Sequence, residues 1–188
     1  IRMYEHSGWM PTFPCVFGDA HCMNGNHAAA MFADALAKGL EFDVNKAYEG
    51  MRHTVLNETM IPWSRSPKTV LDDFYHEKGW FPGLYPGEKE TIPQVSAFER
   101  RQSVAVTQAA SYDDWCIAQL AKKLGRKEDY NFHIGRSFNY RKLFNHDTGF
   151  FHPRDAKGEF IQPFDYIFYG GIGARAYYDE NNAWTYIW

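Results

Sequence analysis

No apolar run in the chain approaches the ~20 residues of a membrane-spanning helix, which argues against a helical membrane protein. There is no basic cluster either, and a net charge of -3 gives a nucleic-acid backbone no electrostatic footprint. Only three cysteines occur, Cys15, Cys22 and Cys116, an odd number without framework spacing, so a disulfide scaffold is excluded. Cys15 and Cys22 remain able to pair in an oxidising compartment, while Cys116 lies in a helical pattern and reads as a small buried hydrophobe. No serine or cysteine stands in a GxSxG setting, which argues against a nucleophile elbow. Gly170-Gly171-Ile172-Gly173 is not GxGxxG and follows no clear strand, so it reads as a flexible segment and nucleotide binding is disfavoured. Internal repeats and low-complexity tracts are absent, which excludes a solenoid or array. The chain opens on Ile1-Arg2-Met3, without an initiator or a signal-peptide pattern, and closes on an apolar segment without a polar tail. Such ends point to a piece cut from a longer polypeptide.

What the sequence has in abundance is aromatic side chains. Its 188 residues suffice for one domain with a core, and 15 Phe, 12 Tyr and 6 Trp exceed what that core needs. A surplus of this size favours a site where flat ligands stack. The densest stretch is Tyr177 to Trp188, which sets one carboxylate pair, Asp179-Glu180, among aromatic and amide side chains. A carboxyl among aromatic walls is poorly solvated, and desolvation favours the protonated form that a general acid needs. Asn181 and Asn182 can exchange hydrogen bonds with a ligand, and Trp184 and Tyr186 offer flat apolar faces. That combination suits a sugar. The competing interpretation makes Trp184 and Ile187 core residues and Glu180 a solvated loop residue.

Helical periodicity dominates the rest. The spacing predicts a helix from Ala28 to Lys38, capped by Asn24 or Asn26 and stopped by Gly39. Asp43 caps a second, Val44 to about Leu56. Ser66-Pro67 opens a third, Lys68 to Lys78. A long aromatic loop over 79–97 carries Trp80, Phe81 and Tyr85, and loops of that length in compact domains are usually functional. Gln102 to Leu124 is the longest pattern, apolar on more than one side and so buried between neighbours. A fifth helix is expected from Lys127 to about Phe144, weakened at Ile134 and Gly135. Beyond it, Phe150-Phe151 and Phe160-Ile161 suggest a short hairpin. The expected class is all-α, with chemistry carried by long loops, and such a scaffold resembles part of an α/α barrel.

Among further polar clusters, Asp19, His21, Cys22 and His27 have the residue types of a metal site but no standard zinc spacing. His27, at the start of a helix, instead orients a polar ligand or satisfies a local bond. Glu99-Arg100-Arg101 is either a solvated charge run or a place where Arg100 holds a ligand hydroxyl. Asp113 and Asp114 are adjacent on a helix, so they point about 100° apart and cannot share one face. One of them is expected to be structural.

Several blocks carry a resemblance: Gly25-Asn26-His27, Ala33-Asp34-Ala35, Ser111-Tyr112-Asp113-Asp114-Trp115-Cys116, Arg136-Ser137-Phe138-Asn139-Tyr140, Thr148-Gly149-Phe150, Pro153-Arg154 and Glu180-Asn181-Asn182-Ala183-Trp184-Thr185-Tyr186. In this order they resemble glycoside hydrolase family 92. The resemblance implies a calcium-dependent, inverting exo-α-mannosidase, secreted or periplasmic, in which a β-sandwich precedes an α/α six-hairpin barrel. It makes residues 1–188 the middle of that barrel and Glu180 the general acid, with the base and the rest of the barrel elsewhere in the polypeptide. His27, Arg100, Asn182 and Trp184 become the candidate substrate contacts. Calcium ligands cannot be assigned to any residue of this chain. The partner is then a mannose-containing glycan, with no nucleic acid or membrane partner. The alternatives are a carbohydrate-binding helical domain without turnover and, less favoured, another α/α-barrel sugar enzyme such as a lyase.

Overall fold

A computed structural model describes residues 1–167 and 176–186. The glycine run at 170–173 and the final two residues lie outside the described part. Among the described residues six α-helices carry the scaffold: α1 Arg2–Ser7, α2 Ala28–Ala37, α3 Val44–Asn57, α4 Val70–Lys78, α5 Ser103–Lys123 and α6 Lys127–Arg136. The only described strands form two minimal antiparallel pairs, β1 Pro14–Cys15 with β2 Gly18–Asp19, and β3 Phe144–Asn145 with β4 Phe150–Phe151. The expectation of a mainly helical scaffold with long loops therefore holds, and 79–102 contains no regular element.

Local chemistry explains most helix limits. Asp43 caps α3 as predicted, its carboxylate accepting from the Lys46 amide at 2.9 Å. Helix α4 starts two residues later than the Ser66-Pro67 signal suggests. Thr69 and Asp72 form a reciprocal capping box, which satisfies two amide donors and outweighs the proline signal. Neither Asn24 nor Asn26 caps α2. The N-cap is His27, without a side-chain cap bond: the Asn24 side chain donates to Gln102 instead, and the Asn26 backbone N–H is held by Asp113. Helix α6 ends at Arg136 rather than near Phe144. The Ser137 hydroxyl donates back to the Ile134 carbonyl at 2.8 Å, and a 3₁₀ turn, Asn139–Leu143, continues the chain.

The predicted hairpin is also re-registered. Phe150-Phe151 pairs with Phe144-Asn145, not with Phe160-Ile161, and Phe160 makes only a single bridge with Arg154. The intervening Asp147-Thr148-Gly149 turn is tight because Gly149 takes φ 75° and its amide donates to the Asn145 carbonyl at 2.8 Å.

Helix α5 is the axis of the molecule. A short turn returns the chain onto it as α6, and α2 and α3 pack along it. Cys116, Ile117, Leu120 and Ala121 join Tyr48, Met51 and Met10 in one core, while Val106 joins Leu71, Tyr75 and Phe81 in a second. Val104 completes a third with Leu143, Tyr178 and Ala183. Burial on several sides of α5 was legible in its sequence. One flank, with Tyr112 and Trp115, stays open to solvent.

Candidate functional site

The N-terminus of α5 is closed by the aromatic strip rather than by its own cap. Gln102 sits in the left-handed region, and the amides of Val104 and Ala105 donate to the Tyr177 carbonyl at 2.8 and 3.1 Å. The strip is then pinned by its phenols. Tyr177 donates to the Leu84 carbonyl at 2.7 Å, and Tyr178 to the Phe151 carbonyl at 2.6 Å. The Tyr186 hydroxyl accepts from the Asp179 amide at 3.0 Å and faces the Asp179 carbonyl at 3.2 Å. Burial pushes the Tyr177 and Tyr186 hydroxyls up to about 12, so both remain protonated donors at neutral pH.

This docking places the strip beside an open cleft of about 680 Å³. Gln108, Tyr112 and Trp115 line it from successive turns of one α5 face, His27 from the start of α2, Phe138 from beyond α6 and Tyr186 from the strip. Gln108 ties the strip down by donating to the Tyr186 carbonyl at 3.3 Å. Asn24, also on the cleft, donates to Gln102 Oε1 at 2.9 Å and to Asp179 Oδ2 at 3.3 Å. Aromatic planes and amide edges thus face one cavity, an arrangement suited to a polyhydroxylated ring with apolar C–H faces.

The predicted site residues separate. His27 lies on the cleft. Asn182 caps the 3₁₀ turn Ala183–Thr185 by accepting from the Trp184 amide at 3.1 Å. Trp184 is half exposed and sets its ring edgewise to Phe150 at 5.1 Å. Glu180 adopts φ 55°, a left-handed conformation uncommon for a residue with a side chain, and it is exposed. The aromatic walls expected around it do not close over it, because their rings pack downward into the third core.

Arg100 lies on a different cleft, about 350 Å³, between the 79–97 loop and Tyr177. Glu99-Arg100-Arg101 is not a solvated run. Left-handed conformations at Arg100 and Gln102 alternate the side chains, so Glu99 and Arg101 are buried and Arg100 points outward. Arg101 grips Glu90 with two hydrogen bonds of 2.6 and 2.8 Å. Burial opposes ionisation of Glu90, yet this grip holds its carboxyl below the usual range.

Sequence reasoning assigned one of Asp113 and Asp114 to structure, but both are buried and both are bonded, to partners on different elements. Asp113 faces the α2 start, with His27 Nδ1 at 2.8 Å and the Asn26 amide at 2.5 Å. Asp114 faces α6, with His133 Nδ1 at 2.7 Å and Arg136 Nε at 2.9 Å. The 100° offset read from the sequence is what sends them to different partners.

Asp19 and His21 meet Glu58 and Arg65, residues that the sequence did not connect to them. Asp19 accepts from the Thr12 and Phe13 amides and pairs with Arg65. His27 lies elsewhere, on Asp113. All three cysteines are free; Cys15 is exposed whereas Cys22 is buried, and Cys116 is part of the core as expected. Among the described residues, no three His, Cys, Asp or Glu side chains stand where they could share a metal ion.

Glu58 is the buried carboxyl the sequence missed. It is 2 % exposed, neither oxygen has a hydrogen-bond donor, and Arg65 Nε lies 3.4 Å away. Burial, against the pull of Arg65, pushes its carboxyl up to about 7. A folded value above the unfolded 4.5 means that the protonated form stabilises the fold. That contribution is complete below about 4.5 and is lost as pH rises through 7. Glu58→Gln cannot ionise. Its advantage over wild type should therefore open between pH 5 and 8, towards about 3 kcal/mol. Urea unfolding of both proteins at the two pH values checks this, and a gap independent of pH would refute it.

A mainly helical domain whose aromatic strip and long helix border a cleft of aromatic and amide groups has a surface suited to carbohydrate. The comparisons are more specific: the model of the glycosyl hydrolase family 92 catalytic domain matches residues 1–188, and the chain belongs to that family. An inverting family GH92 mannosidase of Bacteroides thetaiotaomicron superposes over 97% of this chain at 29% identity and a TM-score of 0.76. A family GH92 alpha-mannosidase of that organism, in complex with mannoimidazole, covers 98% at 30% identity and a TM-score of 0.78. An uncharacterized secreted glycosidase of Arthroderma benhamiae is 26% identical over the whole chain. The chain spans 22% of each of those two solved structures and 25% of the fungal relative.

Proposed function

We propose that the complete polypeptide is an inverting exo-α-mannosidase that removes terminal α-linked mannose from glycans, and that this chain supplies the general acid. The observation that carries the proposal is the cleft bordered by His27, Tyr112, Trp115 and Tyr186, to whose Asn24 the Asp179 carboxylate is bonded one residue before Glu180. Likeness to a mannosidase with mannoimidazole bound supports mannose as the ligand. Glu180 protonates the glycosidic oxygen as the sugar leaves. Inversion also requires a carboxylate base ~6.5–9.5 Å from the acid, with a water between them. In this proposal the base, a preceding β-sandwich and the rest of the barrel belong to other parts of the polypeptide.

Within the same reading, His27, Asn182, Trp184 and Arg100 contact the substrate, Arg100 from its own cleft further along the strip. Calcium, which the resemblance implies, would supply a charge that binds and orients sugar hydroxyls. No described residue is assigned as its ligand. Secretion or periplasmic export agrees with the name of the fungal relative, and none of the described helices is long and apolar enough to cross a membrane.

The test is turnover of a mannoside with and without EDTA. The complete polypeptide should hydrolyse it, lose activity in EDTA and regain it with calcium, whereas residues 1–188 alone should be inactive. Turnover by the isolated chain would show that the base has been misplaced. The exposure of Glu180 favours one alternative, a carbohydrate-binding domain without catalysis. Mannose binding by the complete polypeptide without hydrolysis would establish it.

A further inference from the structure

The pair Asp113 and His27 joins a fully buried acid to a ring that stands on the edge of the cleft. Asp113 is 1 % exposed, while the His27 side chain is 52 % exposed. One Asp113 oxygen takes the Asn26 amide at 2.5 Å, and the other faces His27 Nδ1 at 2.8 Å. Asn26 and His27 adjoin the first turn of α2, and Asp113 is on α5, so a single carboxylate ties the two elements together. The ring is held on its other sides as well. Gly25, at φ 80°, passes so close that a β-carbon there would lie 2.7 Å from His27 Nε2. The Tyr112 ring stands edgewise at 6.2 Å. Only a glycine at position 25 leaves the imidazole this place.

We infer that Asp113 is a positioning residue for the sugar site, fixing His27 with hydrogen on Nδ1 so that Nε2 is presented to the cleft as an acceptor for a substrate hydroxyl. This rests on the mannosidase reading for the identity of the sugar, but not for the state of the ring. An oxygen already accepting a backbone amide, on a carboxylate with no other charged neighbour at the ring, leaves Nδ1–H as the donor that completes the pair. The neutral ring then has one free lone pair, on Nε2. The same contact raises the histidine above its ordinary value, chiefly through the Asp113 hydrogen bond. Asp113 itself is raised by burial, with His27 and the Asn26 amide pulling the other way. Besides Asp113, the titratable groups near the ring are Tyr112, the preceding residue of α5, and Tyr186, which lines the same cleft.

Substituting Asp113 by Asn reverses the hydrogen bond. Its oxygen must still accept the Asn26 amide, so its NH₂ faces Nδ1, and the ring hydrogen moves to Nε2. The position is filled and the fold is retained, but the acceptor in the cleft becomes a donor. In the complete polypeptide with ¹⁵N-labelled histidine, NMR should show neutral wild-type His27 with hydrogen on Nδ1 and a midpoint above the ordinary ~6.5. Asp113→Asn should invert the tautomer, lower the midpoint and raise KM for an α-mannoside on the order of tenfold, with kcat changing less. His27→Asn provides the second arm. It keeps a donor for Asp113 and deletes only the Nε2 edge, so it should fold as wild type and raise KM similarly. Hydrogen on Nε2 in the wild type, a tautomer unmoved by Asp113→Asn, or an unchanged KM in His27→Asn would each overturn the inference. If Asp113→Asn does not fold, His27→Asn and the wild-type tautomer decide. Tautomer and midpoint are read without substrate. A protein with the predicted ring state but no mannosidase activity would thus remove the proposed function alone; mannose would then have to shift the Nε2 resonance for the inference to stand.

Discussion

In the complete polypeptide, Glu180→Gln is expected to lower turnover of an α-mannoside with a poor leaving group by roughly 10²–10⁴-fold, the usual contribution of a general acid. Glutamine keeps the shape and hydrogen-bonding reach of the side chain but has no proton to transfer. A mannoside with a good leaving group needs little protonation as its bond breaks, so its rate should fall far less. Binding should survive, because the aromatic and amide groups of the cleft are untouched. If Glu180 serves only to bind substrate, both mannosides lose equally and KM rises. Steady-state kinetics with the two substrates in the one variant separates the cases. Equal losses would shift attention to Asp179, whose carboxylate accepts from Asn24. The left-handed backbone at Glu180 adds a control. It is a conformation that L side chains adopt at some cost, often at functional positions. Glutamine bears that cost as glutamate does, so stability should not change.

The order of helices and the importance of α5 were readable because both follow from local patterns. Asp43 announces its own cap, Gly39, Gly79 and Gly125 mark helix ends, and the apolar positions of 102–124 recur on several sides of a helix. Family membership was readable from residue blocks whose order survives where overall identity is low. What could not be read depends on contacts between distant segments. Nothing near Asn24 in sequence says that it will reach Gln102 and Asp179 instead of capping α2. Nothing near Glu58 says that Asp19 and Arg65 will surround it. The strip was read as an aromatic enclosure for Glu180, but Tyr178 and Ala183 turn into the core and leave the acid outside. Phe150-Phe151 had two possible partners of similar composition, and the shorter loop to Phe144-Asn145 prevailed. Of the candidate contacts, His27 was read as orienting a ligand or satisfying a local bond; it bonds Asp113 and also lines the cleft. Arg100 was separated from the others by two left-handed residues that no propensity scale anticipates.

The largest effect on stability is expected at Asp114. Its carboxylate is 2 % exposed and receives both His133 Nδ1 and Arg136 Nε. The Arg136 guanidinium has few other outlets: it donates to His76 Nδ1 at 2.8 Å and lies over the Tyr75 and Phe132 rings. Burial and the adjacent Arg136 hold His76 below its usual value, keeping it neutral and able to accept. Asp114→Ala removes the only anion among the described residues bonded to that arginine and strands a largely buried cation, with a His133 ring whose Nε2 already lacks a partner. Breaking a buried pair from one side costs about 3–5 kcal/mol, more than the pair contributes when intact, because the remaining charge is left without water. Asp113→Ala is the matched control on the neighbouring residue of the same helix. Asp113 is equally buried, but its histidine partner is half exposed and can turn to water. Its loss should therefore cost clearly less, on the order of 1–3 kcal/mol for an orphaned, partly buried amide. Urea unfolding of the two variants, side by side in the complete polypeptide, compares one structural and one site-facing aspartate. Equal losses would mean that the exposure of the partner does not set the cost. A second substitution, Arg136→Met in the Asp114→Ala background, removes the stranded charge and should recover part of the stability. Failure to recover any would place the cost in packing rather than in the uncompensated guanidinium.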